Sequence, residues 1–128
     1  MTPEHKIRHL ILIAAREYDE DAEPLPATLT AEQIDELWDE DSDAINEAKY
    51  EFRSSGIPTP ELPTPSTRHF EVDAVAAQYI DGTWVGWLYW HGGGKHAEPE
   101  AIDWMEDAYD LKVIETKTIT VNVFAKAN

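Results

Sequence analysis

Apolar residues recur every three or four positions along the first part of the chain. Ile7, Leu10, Ile11, Ala14 and Tyr18 fall on one side of a helix predicted over residues 1–21. Thr2 is its expected N-cap, Pro3 suits the first helical position, and Glu4 complements the dipole. A connector with Pro24 and Pro26 leads to Thr30-Ala31-Glu32-Gln33, which fits a capping box. The helix that begins there places Ile34, Leu37, Trp38, Ile45, Ala48 and Phe52 on one side, and Gly56 is its expected C-terminal stop. Asp41 falls inside that apolar sector, where a buried carboxylate is expensive. A bend or break near residues 40–43 is therefore expected, with Asp41, Ser42 or Asp43 capping the second piece.

The four prolines of residues 57–67 favour extended structure and forbid a helix or a central strand. This stretch reads as a stiff connector. Beyond it the period changes from helical to alternating, and Asp81-Gly82 between residues 70–80 and 83–90 signals a hairpin. A two-residue turn there sets Tyr79 opposite Trp84, Ala77 opposite Gly86 and Val75 opposite Leu88. Trp84, Leu88 and Trp90 share one face of the second strand, and Val85, Trp87 and Tyr89 the other. Ala101, Ile102, Trp104, Met105, Ala108 and Leu111 predict a third main helix over residues 99–111. Alternation in residues 113–124 predicts a strand that pairs with the hairpin. The expected fold class is α+β, with N-terminal helices packed on an antiparallel sheet of three or four strands and a βα(β) C-terminal half. With 128 residues, 42% of them hydrophobic, a single domain is expected: a helical half at 1–56, the connector, and a hairpin-helix-strand half at 68–128.

Charge changes this picture most. Twenty-six acidic residues against ten basic ones give a formal charge of −16. Glu32, Asp35, Glu36, Asp39, Glu40 and Asp43 fall in one sector of the second helical segment, opposite its apolar side. At about 1.5 Å per residue, the acids from Glu32 to Asp43 span roughly 18 Å, a charge spacing near that of nucleic-acid phosphates. Glu100, Asp103, Glu106, Asp107 and Asp110 form a second such group in residues 99–111. A charged helix face is commonly only a solvated surface, so solubility and nucleic-acid mimicry are the two readings to separate. The sign of the charge opposes direct binding to nucleic acid or to anionic membranes.

Enzymatic chemistry finds little footing. The run His91-Gly92-Gly93-Gly94-Lys95-His96 has an oxyanion-hole composition, but no nucleophile elbow accompanies it. The phosphate-loop pattern is incomplete, and Glu98 and Glu100 stand where phosphate would approach. His91, His96 and Glu98 could offer metal ligands, yet neither a paired-histidine helix motif nor any cysteine supports them. No catalytic residue, metal or cofactor is expected. Without cysteines there are no disulfides, the N-terminus lacks signal-peptide character, and no apolar run approaches membrane-spanning length, so a cytoplasmic protein is expected.

The stretch from Asp81 through Trp84, Trp87, Trp90, Gly92-Gly93-Gly94 and on to Glu98, Trp104 and Met105 resembles a segment of small proteins encoded by phages, prophages and plasmids. That family has no assigned activity, cofactor or catalytic residue. The resemblance implies a mobile-element context, in which small acidic accessory proteins commonly act against host defences. The leading expectation is a non-enzymatic inhibitor, resident in the cytoplasm of a bacterial host. Its acidic face would occupy the basic site of a nucleic-acid-binding partner such as a CRISPR effector or restriction enzyme. The alternative is an interaction or assembly module that binds through Trp87 and Tyr89 on the aromatic strand, a homodimer being one form of it.

Overall fold

The computed structural model describes residues 1–18, 23–40, 42–92 and 99–127. The chain folds as three helices followed by an antiparallel four-stranded sheet, the α+β class expected. Helix α1 spans Pro3–Glu17, with the Thr2 hydroxyl accepting the His5 amide at its start. Helix α2 spans Ala31–Trp38, and both halves of its capping box form: the Thr30 hydroxyl accepts the Gln33 amide, and the Gln33 side chain accepts the Thr30 amide. The expected break follows. Ser42 caps helix α3, Asp43–Arg53, by accepting the Ile45 amide at 3.1 Å. Asp41 lies outside the described residues.

Strands β1 (Ile57–Pro58), β2 (Glu71–Gln78), β3 (Trp84–His91) and β4 (Tyr109–Leu111) lie side by side in chain order. Pro58 is tolerated because β1 is an edge strand, and Thr59 continues the contact by donating its amide to the Ala74 carbonyl. The β2–β3 hairpin forms one residue out of the expected register: Gln78 faces Trp84, Ala76 faces Gly86 and Val75 faces Trp87. The cause is the loop. The Gly82 amide donates to the Tyr79 carbonyl and the Tyr79 amide to the Thr83 carbonyl, so Ile80, Asp81 and Gly82 make a three-residue connection. Gly82 takes φ +90°, the left-handed position that ends such a loop. Asp81 braces it by accepting both the amide and the hydroxyl of Thr83.

The new register gathers Val75, Val85 and Trp87 under the helices. They join Ile7, Ile11, Leu12, Ile34, Ile45 and Ala48 in one core fed by both halves of the chain. Trp87 is its centre: 0% exposed, stacked on Phe52 at 5.1 Å, tilted against Trp104 at 5.6 Å, and donating its indole N–H to the Arg53 carbonyl. Helix α1 packs against α2, α3, β3 and β4, so its buried stripe is wider than periodicity predicts. His9, Leu12 and Ala15 are buried, Leu10 and Ala14 half-buried, and Tyr18 exposed.

The C-terminal expectations fail at two places. Instead of a helix over residues 99–111 there is a 3₁₀ turn at Pro99–Ala101, a loop, and then β4. Five acids and no base in that stretch would stack like charges three and four residues apart along a helix. The loop instead buries the adjacent Trp104 and Met105 together. Residues 113–124 form no strand: β4 pairs with Trp84–Gly86 at the very start of β3, and the chain runs on past the end of the sheet.

Candidate functional site

The acids of the second helical segment sit on two helices rather than one. Glu32, Asp35 and Glu36 lie on α2, Asp39 caps its C-terminus, Glu40 is in the turn, and Asp43 is the first residue of α3. The continuous 18 Å ladder expected of a single helix is therefore interrupted after Trp38. Glu32, Glu36, Asp39, Glu40 and Asp43 are all exposed, and none has an ion-pair partner among the described residues. The amphipathic period accounts for this: Ile34, Ile45 and Ala48 are buried on the other side, with Leu37, Trp38 and Phe52 half-buried.

Asp35 is different in kind. Its carboxylate meets His5 Nε2 at 3.1 Å and Arg8 Nη1 at 3.0 Å, both on α1. Arg8 also holds Glu4 at 3.0 Å and lies over the Trp38 ring. The His5 hydrogen bond, with the charges of His5 and Arg8 behind it, keeps the Asp35 carboxyl below the usual aspartate range. Asp35 thus fastens α2 to α1, and its charge is answered within the molecule.

The second acidic group lies on the 3₁₀ turn, the loop and β4. Glu100 belongs to the turn, while Asp103, Glu106 and Asp107 are exposed in the loop. Asp110, on β4, pairs with Lys6 of α1 at 3.2 Å. Hydrogen bonding with the Asp103 carboxyl, together with the charges of Asp103 and Asp107, raises the Glu106 carboxyl above its ordinary value. Three carboxylates are crowded here with no cation beside them among the described residues.

The aromatic strand is not arranged as the alternative reading requires. Trp87 is wholly internal and cannot anchor a partner. Tyr89 is half-buried on the same face, with the Arg53 guanidinium over its ring at 5.2 Å and His91 alongside. The outward aromatic surface belongs to the other face, where Trp84, Leu88 and Trp90 are half-buried and Phe70 meets Trp90 edge-on. Ala74 and Ala76 on this face are buried but stand outside the core cluster formed with the helices. Tyr109 lies over Gly86, so closely that a Cβ at Gly86 would fall 2.5 Å from its ring.

Of the glycine loop, only His91 and Gly92 are described, and the remainder lies outside the described residues. His91 Nε2 meets Asp73 at 2.8 Å and Nδ1 faces Glu71 at 3.5 Å across the hairpin, which accounts for its polar contacts. Sequence periodicity gives no sign of His9: it is 0% exposed on α1, with Nδ1 2.6 Å from the Tyr79 hydroxyl, and among the described residues Nε2 has no partner at hydrogen-bond distance, the Pro26 carbonyl being its nearby acceptor. Among the described residues, no helix is long and apolar enough to cross a membrane. No family model, no curated protein and no solved structure matches this chain.

Proposed function

We propose that the protein is a non-enzymatic accessory protein of a phage or other mobile element, acting in the cytoplasm of a bacterial host. It inhibits a nucleic-acid-handling defence enzyme, a CRISPR effector or restriction enzyme, by occupying its basic site with an acidic surface. The observation that carries this reading is the set Glu32, Glu36, Asp39, Glu40 and Asp43, exposed and without internal cations among the described residues. Unanswered charge of one sign steers a basic partner and releases its counterions when the surfaces meet. Asp35 serves this surface indirectly by fixing α2 against α1. The test is affinity capture from host lysate at low and high salt, followed by competition with duplex DNA. Capture of a DNA- or RNA-handling enzyme that both salt and DNA release supports the reading. A Glu32→Lys, Glu36→Lys, Asp39→Lys variant that captures the same enzyme undiminished overturns it. Asp35 is left intact in that variant so that lost binding is not confused with a displaced helix.

A second reading has one observation in its favour, the half-buried Trp84 and Leu88, which share a face outside the helix-covered core. An interaction module using that face would lose its partner on Trp84→Ala or Leu88→Ala and keep it in high salt.

A further inference from the structure

Strand β4 runs antiparallel to β3 and pairs Tyr109 with Gly86 and Leu111 with Trp84. Trp84 is the first residue of β3, so a further step along this ladder meets Thr83 and then the hairpin loop. The chain therefore leaves the sheet past its end, and residues 113–124 have no continuing strand beside them. They are nonetheless strand-like in composition. In an extended chain Ile119, Val121 and Val123 share one side, and Thr118, Thr120 and Asn122 the other. Val121 is 76% exposed, Val123 95% and Phe124 86%. An uncovered apolar segment of this kind is suited to adding itself to a sheet edge.

Charge identifies the edge. Lys112, Lys117 and Lys126 stand against Glu115 alone, so this segment is net positive at the end of a chain whose formal charge is −16. Among the described residues, Asp103, Glu106 and Asp107, just before β4, have no ion-pair partner. The segment's own β4 is not an accessible target: doubling back along it needs a tight turn after Leu111. Residues 112–121 hold no Gly, Pro, Asn or Asp to make one. A second copy placed antiparallel meets no such obstacle. Its arm runs straight along the β4 edge, and its lysines travel toward the acids before that strand.

We propose that residues 112–127 form an arm that pairs as a β-strand with the β4 edge of a second copy, the two copies exchanging arms about a two-fold axis. The sheet becomes continuous across the dimer, with the arm's backbone amides and carbonyls paired and the arm lysines set against the Asp103, Glu106 and Asp107 group. This pairing is independent of the inhibitor reading, since the acids of α2 and α3 lie elsewhere in the chain.

The test is sedimentation of the full chain and of its Val121→Pro variant across a dilution series up to about 100 µM, where mass action favours association. Proline removes the amide at position 121 and fixes φ away from the strand value, without touching any core residue. The wild type should sediment as a dimer, and Val121→Pro should require at least tenfold higher concentration to associate. Lys117→Glu with Lys126→Glu should weaken the dimer in the same direction, with the far-ultraviolet circular dichroism and urea midpoint of the monomer unchanged in every variant. A wild type that is monomeric throughout overturns the proposal, whether its arm amides exchange freely or are protected by its own body. A dimer that Val121→Pro leaves intact overturns it as well.

Discussion

At the residue scale, two buried side chains set the clearest expectations. Trp87 is enclosed by Phe52, Trp104 and the helices and gives its indole hydrogen to Arg53. Trp87→Ala leaves a large cavity and an unanswered carbonyl, a loss of about 3–5 kcal/mol. Urea denaturation should show this as a much lower midpoint. An unchanged midpoint would mean that Trp87 is not in the core. His9 makes stability depend on pH. Burial lowers its pKa from 6.5, an effect the nearby Pro26 carbonyl opposes only in part. The unfolded chain takes up the proton near 6.5 while the folded one resists it, so acidification favours unfolding. The urea midpoint should fall as pH drops through and below 6.5, and His9→Leu should flatten that slope. Asp35 and Asp81 do not confuse the window, because both are held below the ordinary 3.8. Their stabilisation is lost only as pH falls beneath that value.

At the element scale, caps and close approaches decide where elements begin and stop. Ser42→Ala removes the acceptor for the Ile45 amide at the start of α3. It should cost about 0.5–2 kcal/mol, measured by thermal or urea denaturation. Gly86→Val should detach β4, because any Cβ there meets the Tyr109 ring. Hydrogen exchange of the β4 amides would report the detachment, with protection in β2 retained. These elements differ in how openly the sequence declares them. The capping box at Thr30, the break before Ser42 and the hairpin are local, written in neighbouring residues. The one-residue shift of register is also local but ambiguous, since Asp81-Gly82 serves a two-residue turn and a three-residue loop alike, with Gly82 left-handed in both. Residues 99–111 satisfy a helical period that their unrelieved acids oppose, and the free β3 edge takes Tyr109–Leu111 instead. The acidic face was legible because exposure follows the period of α2 and α3. The role of Asp35 was not, because its partners His5 and Arg8 lie on another helix.

At the scale of the whole molecule, a formal charge of −16 acts on folding and on binding with opposite signs. Compacting so many carboxylates is self-repulsive, and salt screens charges farther apart than about 10 Å at 0.1 M. Moderate salt should therefore raise the Tm, by about 2–6 °C if roughly 1 kcal/mol of repulsion is relieved. The Lys6–Asp110, Arg8–Glu4 and Arg8–Asp35 pairs are short and partly shielded, so their loss in the same salt should be the smaller effect. Attraction to a basic partner is weakened by that same screening. Measured side by side, a rising Tm with falling partner affinity would separate charge-driven binding from loss of fold. A Tm that falls with salt would show that the internal ion pairs outweigh surface repulsion. A rising Tm with unchanged affinity would move the interface from the acids of α2 and α3 to the Trp84–Leu88 face.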